Sequence, residues 1–222
     1  MDFDALHRDM VRRYQPHLVC GPETDIVIEG YPRSSNSFTI WMLTVLQGGK
    51  PDLRIAHHIH SIENLRLGLH FGKPLLLLLR APQDAILSYM IYSDRTVEYA
   101  TDRYVRFHSD VLALPRMPAV VDFETVVSDF NQVVRVVNNL LAPSGRPPIP
   151  LSQDLAADAA QVKVMARERA EEIHGDKLDR QEGVPNPVRE GIKAELREGV
   201  QAYLAKRPEV SALYDKVRAH GA

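Results

Sequence analysis

Cysteine is almost absent: Cys20 stands alone in 222 residues. One thiol cannot close an intrachain disulfide or build a thiolate zinc site, so the chain suits a reducing compartment and Cys20 reads as a small buried hydrophobe. Neither sign of charge dominates. The 27 Lys and Arg against 29 Asp and Glu leave a formal charge of -2, which removes the broad electrostatic footprint of a nucleic-acid or anionic-membrane binder. Any anion site must therefore be local. Long apolar runs are missing as well. The most apolar tract, Leu75–Leu79, lies between Pro74 and Arg80, far short of the roughly 20 residues a membrane-spanning helix requires. The amino-terminal MDFDALHRDM is acidic and amphipathic, without the basic start and apolar middle of a secretory signal. Together these absences lead us to expect a cytoplasmic protein with no nucleic-acid and no membrane partner. The GxxxxGK[ST] phosphate loop of common nucleoside-triphosphate enzymes is not found, and no fixed-period repeat is visible.

What is present is material for a core. A chain that is 45% hydrophobic and 25% charged is expected to form one domain over residues 1–222. Residues 25–29 (DIVIE) are short and β-branched and run into Gly30-Tyr31-Pro32, the pattern of a buried strand entering a tight turn. From Asn36, apolar residues cover most faces of a helix that stops at Gly48 and Gly49. Residues 54–60 predict a second strand, 62–69 a short helix, and Leu75–Leu79 a third strand that is apolar on both faces. Pro82 and Asp84 suit the start of the next helix, and residues 96–114 form a long amphipathic one. Ala119–Asp122 is a fourth strand, 124–141 one helix, and the proline-rich 142–150 a connector. Residues 156–222 are mostly helical with a break at 183–187. Strands alternating with helices imply an α/β fold: a three-layer sandwich with a central, mainly parallel sheet and a helical last third.

Three groups could carry chemistry. The first is the turn Tyr31-Pro32-Arg33-Ser34-Ser35-Asn36-Ser37, which joins a buried strand to a helix amino terminus. Free N–H groups and the positive end of the helix dipole gather there, beside three hydroxyls, an amide and a guanidinium, a suitable cradle for phosphate or sulfate. The same residue types are also ordinary N-caps. The second is Arg80, ending the leucine strand, with Ser88 on the following helix; both could face one anion beyond the strand ends, or Arg80 could simply pair with Asp84. The third is His57, His58 and His60. Strand alternation would put His58 and His60 on one face and His57 on the other, where they could act as general bases. No nearby Asp, Cys or Glu completes a metal-ligand pattern, so no metal is expected.

In this order the segments resemble the 3′-phosphoadenosine 5′-phosphosulfate (PAPS)-dependent sulfotransferases. YPRSSNSF, residues 31–38, is similar to that family's YPKSGTTW. Arg33 takes the place of the lysine, Ser34 matches, Ser35 replaces the glycine, Asn36 and Ser37 stand at the threonines and Phe38 at the tryptophan. RAPQDAILSY resembles RxPxDxxxSxY, matching at Arg80, Pro82, Asp84 and Ser88, with Tyr89 one place before the family's tyrosine. Residues 58–65 are similar to KTHLPxxL with His60 at the histidine and His58 at the lysine, and VDFETVVSDF is similar to YEDLxxDP at Phe123 and Glu124. The resemblance covers about residues 25–130. The late RKGxxGxWK segment has no counterpart as such; Lys177, Arg180 and Arg189 lie in that part of the chain, and Arg189, beside Pro187 at a helix start, is the substitute of choice.

The resemblance implies sulfuryl transfer from PAPS, bound as co-substrate, to a hydroxyl or amine of a small-molecule or carbohydrate acceptor, with no metal. It implies His60, or else His58, as base, with Arg33 and the N–H groups of the turn Ser34, Ser35, Asn36, Ser37 and Phe38 around the phosphosulfate. Arg80, Ser88 and Arg189 would take the 3′-phosphate. Two alternatives stay open at this point: an ATP-dependent small-molecule kinase using the same turn, and a non-catalytic nucleotide-binding scaffold of the same fold.

Overall fold

A computed structural model describes residues 1–49, 52–174 and 187–221. Its centre is a four-stranded, all-parallel sheet in the order β2-β1-β3-β4, built from β1 (Ile26–Gly30), β2 (Ile55–His57), β3 (Leu75–Leu79) and β4 (Ala119–Asp122). The helices are α1 (Phe3–Arg13), α2 (Asn36–Leu46), α3 (Ile62–His70), α4 (Pro82–Ser93), α5 (Val97–Leu112), α6 (Phe123–Ser128), α7 (Phe130–Leu141), α8 (Leu155–His174), α9 (Pro187–Leu204) and α10 (Pro208–Arg218).

Strand alternation sorts the side chains into two cores. Val27, Leu75, Leu77, Leu79 and Val120 pack with α1, α3, α4 and α5, joined by Val200 of α9 and by Val210 and Val217 of α10. Ile26, Ile28, Leu76, Leu78 and Val121 pack with α2, α6, α7 and Val162 of α8. This explains why Leu75–Leu79 reads as leucine without interruption: a central strand covered on both faces has no polar side. Leu76, Leu77 and Leu78 are each fully buried, worth about 1.5–3 kcal/mol apiece relative to exposure. No helix among the described residues is long and apolar enough to cross a membrane.

Two expectations need correction. The second strand ends at His57 rather than residue 60, because His58 and His60 turn into the left-handed region at φ 60° and 53°. Side-chain alternation therefore does not apply to the histidines, and His57 and His58 lie with ring centroids 4.6 Å apart instead of on opposite faces. The helix expected over 124–141 is two helices, broken at Asp129 (φ −145°, ψ 80°). There the aspartate side chain accepts a hydrogen bond from Gln132 Nε2 at 3.1 Å, the local competition that makes Asp a poor helix-interior residue.

Gly30 ends β1 where β3 comes closest. A Cβ there would lie 2.5 Å from the Leu78 carbonyl oxygen and 3.2 Å from Asn36 Oδ1. Backbone cannot yield as a flexible side chain does, so Gly30→Ala is expected to destabilise the protein by about 1–3 kcal/mol. Urea denaturation checks this; an unchanged midpoint would show that the two strands can part without loss.

Candidate functional site

The order β2-β1-β3-β4 contains one reversal. From β1 the chain passes through α2 to β2 on one side, then crosses back through α3 to β3 on the other. Helices α2 and α3 lie on opposite faces of the sheet. The carboxyl ends of β1 and β3 therefore border a switch-point crevice, the place where open α/β sheets bind ligands. The turn 31–37 leaves β1 at this crevice and Arg80 follows β3 directly beside it.

The turn is unusual in its backbone. Arg33 and Ser35 both have positive φ, 74° and 71°, which costs of order 1–3 kcal/mol per non-glycine residue and persists where neighbours enforce it. Arg80 Nη1 donates to the Arg33 carbonyl at 2.8 Å, and the Arg80 guanidinium lies 3.9 Å over the Phe123 ring. Arg80 thus holds the turn from outside; the ion pair of Asp84 is with Arg197 of α9 at 3.5 Å, while its charge acts on Arg80 against burial. Ser35 is the N-cap of α2 in left-handed conformation, and no side chain caps that terminus; its hydroxyl bonds back to the Ser34 carbonyl. The N–H groups of Asn36, Ser37 and Phe38 consequently form an uncapped, electropositive helix start. Ser34 is fully buried and its Oγ has no partner among the described residues.

Two arginines converge on one hydroxyl, with Arg80 close behind the turn. Helix α9 packs on α4, which brings Arg189, in the first turn after Pro187, to Ser88. Arg189 Nη2 donates to Ser88 Oγ at 3.0 Å, and Arg33 Nε points to the same oxygen at 3.3 Å. Arg189 is only 2% exposed. Burial first, then Arg189 and Arg80, pull Arg33 down to about 9; burial likewise lowers Arg80. These guanidiniums repel one another, and a multiply charged anion with several acceptor oxygens would relieve that repulsion. Tyr92 completes the cluster, its ring centroid 5.2 Å from the Arg33 guanidinium carbon.

The histidines stand on the other flank of the turn. Ser37 Oγ and His58 Nε2 are 2.8 Å apart, while His58 Nδ1 meets His57 Nδ1. Both nitrogens of His58 are thus engaged. His60 differs: its Nδ1 donates to the Gly30 carbonyl at 2.8 Å. A carbonyl can only accept, so in the neutral ring Nδ1 carries the proton and Nε2 holds the lone pair. The side chain of His60 remains one-fifth exposed. Burial, followed by the neighbouring His58, holds His57 and His60 down to about 3, and burial holds His58 to about 4. His60 is therefore a neutral imidazole at physiological pH, with its Nε2 lone pair unprotonated.

Beneath His60 lies Glu29, fully buried in β1. Its carboxylate accepts the N–H of Ile59 and of His60, both at 3.0 Å, and the Asn64 side-chain amide at 2.9 Å. Burial raises the Glu29 carboxyl to about 7 against these bonds. No motif marks Glu29 or Asn64. The one available signal was an acidic residue closing an otherwise apolar strand.

These shifts fix how stability depends on pH. A histidine with a depressed folded-state pKa takes up a proton more readily when unfolded, so its contribution is complete above about 6.5 and is lost as pH falls toward 3–4. His108, also buried and held to about 4, acts in the same sense. Glu29 acts oppositely: its contribution is complete below 4.5 and is lost as pH rises through 7. With four histidines against one carboxylate, the urea midpoint is expected to drop between pH 7 and pH 5. A midpoint that rises over that interval contradicts this electrostatic picture.

Phe38 offers the site its N–H alone, for its ring packs edge-on against Phe130, centroids 5.9 Å apart, within the second core. Lys177 and Arg180 lie outside the described residues. Asp122, the strand-end carboxylate of β4, is taken by Arg218 Nε at 2.9 Å and Tyr214 OH at 3.5 Å. Cys20 is buried, with its thiol pushed up to about 11 by burial, which keeps it unreactive.

No protein-family model matches the chain, and no curated protein matches it in sequence. Among solved structures it is similar to mouse sulfotransferase SULT7A1 complexed with PAP, at 11% identity and a TM-score of 0.48, over 99% of this chain and 92% of that one.

Proposed function

We propose that this chain is a sulfotransferase, transferring a sulfuryl group from PAPS to a hydroxyl or amine of a small-molecule or carbohydrate acceptor. The observation that carries the reading is one constellation at the switch point. Arg33, Arg80 and Arg189 gather beside an uncapped helix start, and His60, its Nδ1 tied to Gly30, presents a free Nε2 on the other side of the same turn. The matching segments 31–38, 58–65 and 80–89 are the same residues read along the sequence.

The chemistry asked of these residues is charge neutralisation and alignment. His60 Nε2 takes the proton of the acceptor as the acceptor oxygen bonds to sulfur. The sulfur's bond to the bridging oxygen breaks, and the electron pair leaves on the 5′-phosphate. Arg33 and the N–H groups at the start of α2 stabilise the charge developing there. Arg80, Ser88 and Arg189 hold the 3′-phosphate, the group that separates PAPS from ATP. His58, with both nitrogens engaged, ties the histidine arm to Ser37 and does not take the proton.

Incubation with PAPS and a panel of alcohols, phenols, sugars and amines tests the reading, with adenosine 3′,5′-bisphosphate followed by chromatography. The expected result is acceptor-dependent release of the bisphosphate. Magnesium-dependent formation of ADP from ATP in its place would replace this reading with a kinase. Nucleotide binding without any transfer would leave the scaffold.

A further inference from the structure

We infer that Glu29 is the positioning residue of the histidine arm: it fixes His60 against Gly30 and supplies the negative charge that balances the imidazolium formed when His60 takes the acceptor's proton. The inference rests on the sulfuryl-transfer reading above. A carboxylate with no exposure in the middle of a parallel sheet is costly unless its lone pairs are met. Across β3 it faces Leu77 in register, which offers no compensation. Apart from the adjoining Gly30, its partners belong to the histidine arm or its support. The two backbone bonds go to Ile59 and His60, the very stretch whose flanking residues, His58 and His60, are held at positive φ.

The third partner extends the brace. Asn64 is buried in α3; its Nδ2 reaches both Glu29 and the Leu18 carbonyl, at 3.1 Å for the latter, while its Oδ1 takes the Cys20 N–H at 2.7 Å. Glu29 is thereby anchored to the segment before β1 and to α3, and His60 is anchored to Glu29. Among the described residues no lysine or arginine pairs with Glu29; the group within reach that would become cationic on taking a proton is His60, whose Nδ1 lies 4.0 Å from Oε2. That separation is too long for a hydrogen bond, and Gly30 already occupies Nδ1. At that distance an ionised carboxylate attracts a charged ring, opposing the burial that keeps the resting ring neutral.

Glu29→Gln keeps the size and one acceptor oxygen, removes the charge, and turns a donor toward the His60 N–H. We expect kcat to fall roughly 10- to 100-fold, the scale of one charge-assisted hydrogen bond, with the dissociation constant for adenosine 3′,5′-bisphosphate unchanged. In a His60→Ala background the same substitution should cost nothing further, because Glu29 acts through His60. A loss that persists undiminished in that background, a matching loss of nucleotide affinity, or wild-type turnover overturns the inference. If Glu29→Gln fails to fold, Glu29→Asp carries the test: it keeps the charge and must retain kcat above one-hundredth of wild type with nucleotide binding intact, and a complete loss overturns the inference. Histidine ¹⁵N NMR gives a readout independent of turnover: His60 should be the Nδ1–H tautomer in the wild type and mixed in Glu29→Gln, and an unaltered signal overturns the positioning role. Failure of the parent reading looks different, since a wild type that releases no bisphosphate from PAPS, or whose turnover ignores His60→Ala, removes sulfuryl transfer itself.

Discussion

Replacing His60 with alanine is expected to lower kcat by roughly 10²- to 10⁴-fold, the usual contribution of a positioned general base, while leaving nucleotide affinity close to wild type. The split follows from the geometry. His60 touches the Gly30 carbonyl and the Glu29-bound backbone, whereas the arginines meet at Ser88 on the opposite flank of the turn. Loss of the imidazole therefore removes the proton acceptor without removing an anion contact. His58→Ala is the informative companion: with one nitrogen on Ser37 and the other against His57, it should lose less activity than His60→Ala. Rapid-quench measurement of a single turnover separates the chemical step from product release. A His60→Ala enzyme with wild-type single-turnover rate would move the base elsewhere, and a larger loss in His58→Ala would move it one step back along the arm.

Arg189→Ala carries the second large effect. Truncating a buried guanidinium that donates to the site's central hydroxyl should weaken binding of adenosine 3′,5′-bisphosphate by about 1.5–3 kcal/mol, or roughly 10- to 150-fold. Adenosine 5′-phosphate, which has no 3′-phosphate to lose, should bind with nearly the same affinity to the variant and the wild type. Arg80→Ala is expected to fall in the same range for the bisphosphate, with an added cost for any phosphate held by the turn, since Arg80 also supports the Arg33 carbonyl. Arg197→Ala is the control, an exposed arginine paired with Asp84. An Arg189→Ala variant that binds both nucleotides as the wild type does would remove α9 from the nucleotide site.

Much of this arrangement was readable along the chain because parallel strands and strand-to-helix turns write themselves locally. Leu75–Leu79 could only be a strand buried on both faces, and YPRSSNSF and RAPQDAILSY each hold a whole turn within ten residues. Ser35 stands where the resembling signature has glycine, and it sits at φ 71°, a conformation that glycine adopts without cost. What the sequence hid is long-range. Arg189 reaches Ser88 only because α9 packs on α4, across 101 positions of chain. Glu29 looks like the polar end of a strand until the fold wraps Ile59, His60 and Asn64 around it. The histidine arm reads as extended because period-two alternation carries no sign of φ, yet His58 and His60 take left-handed turns that histidine adopts more readily than most residues. Asp129 is hidden as a helix break because apolar residues recur on both sides of it, at 126, 127, 130, 133, 134 and 137.

The central claim is that the arginine cluster exists to recognise a nucleotide carrying a 3′-phosphate. Calorimetric titration of the purified protein with adenosine 3′,5′-bisphosphate, against adenosine 5′-phosphate and magnesium ATP, tests it without knowledge of the acceptor. The account predicts saturable 1:1 binding of the bisphosphate, at least tenfold tighter than of adenosine 5′-phosphate, a difference of about 1.4 kcal/mol. Equal affinity for the two nucleotides, or a preference for magnesium ATP, would contradict it.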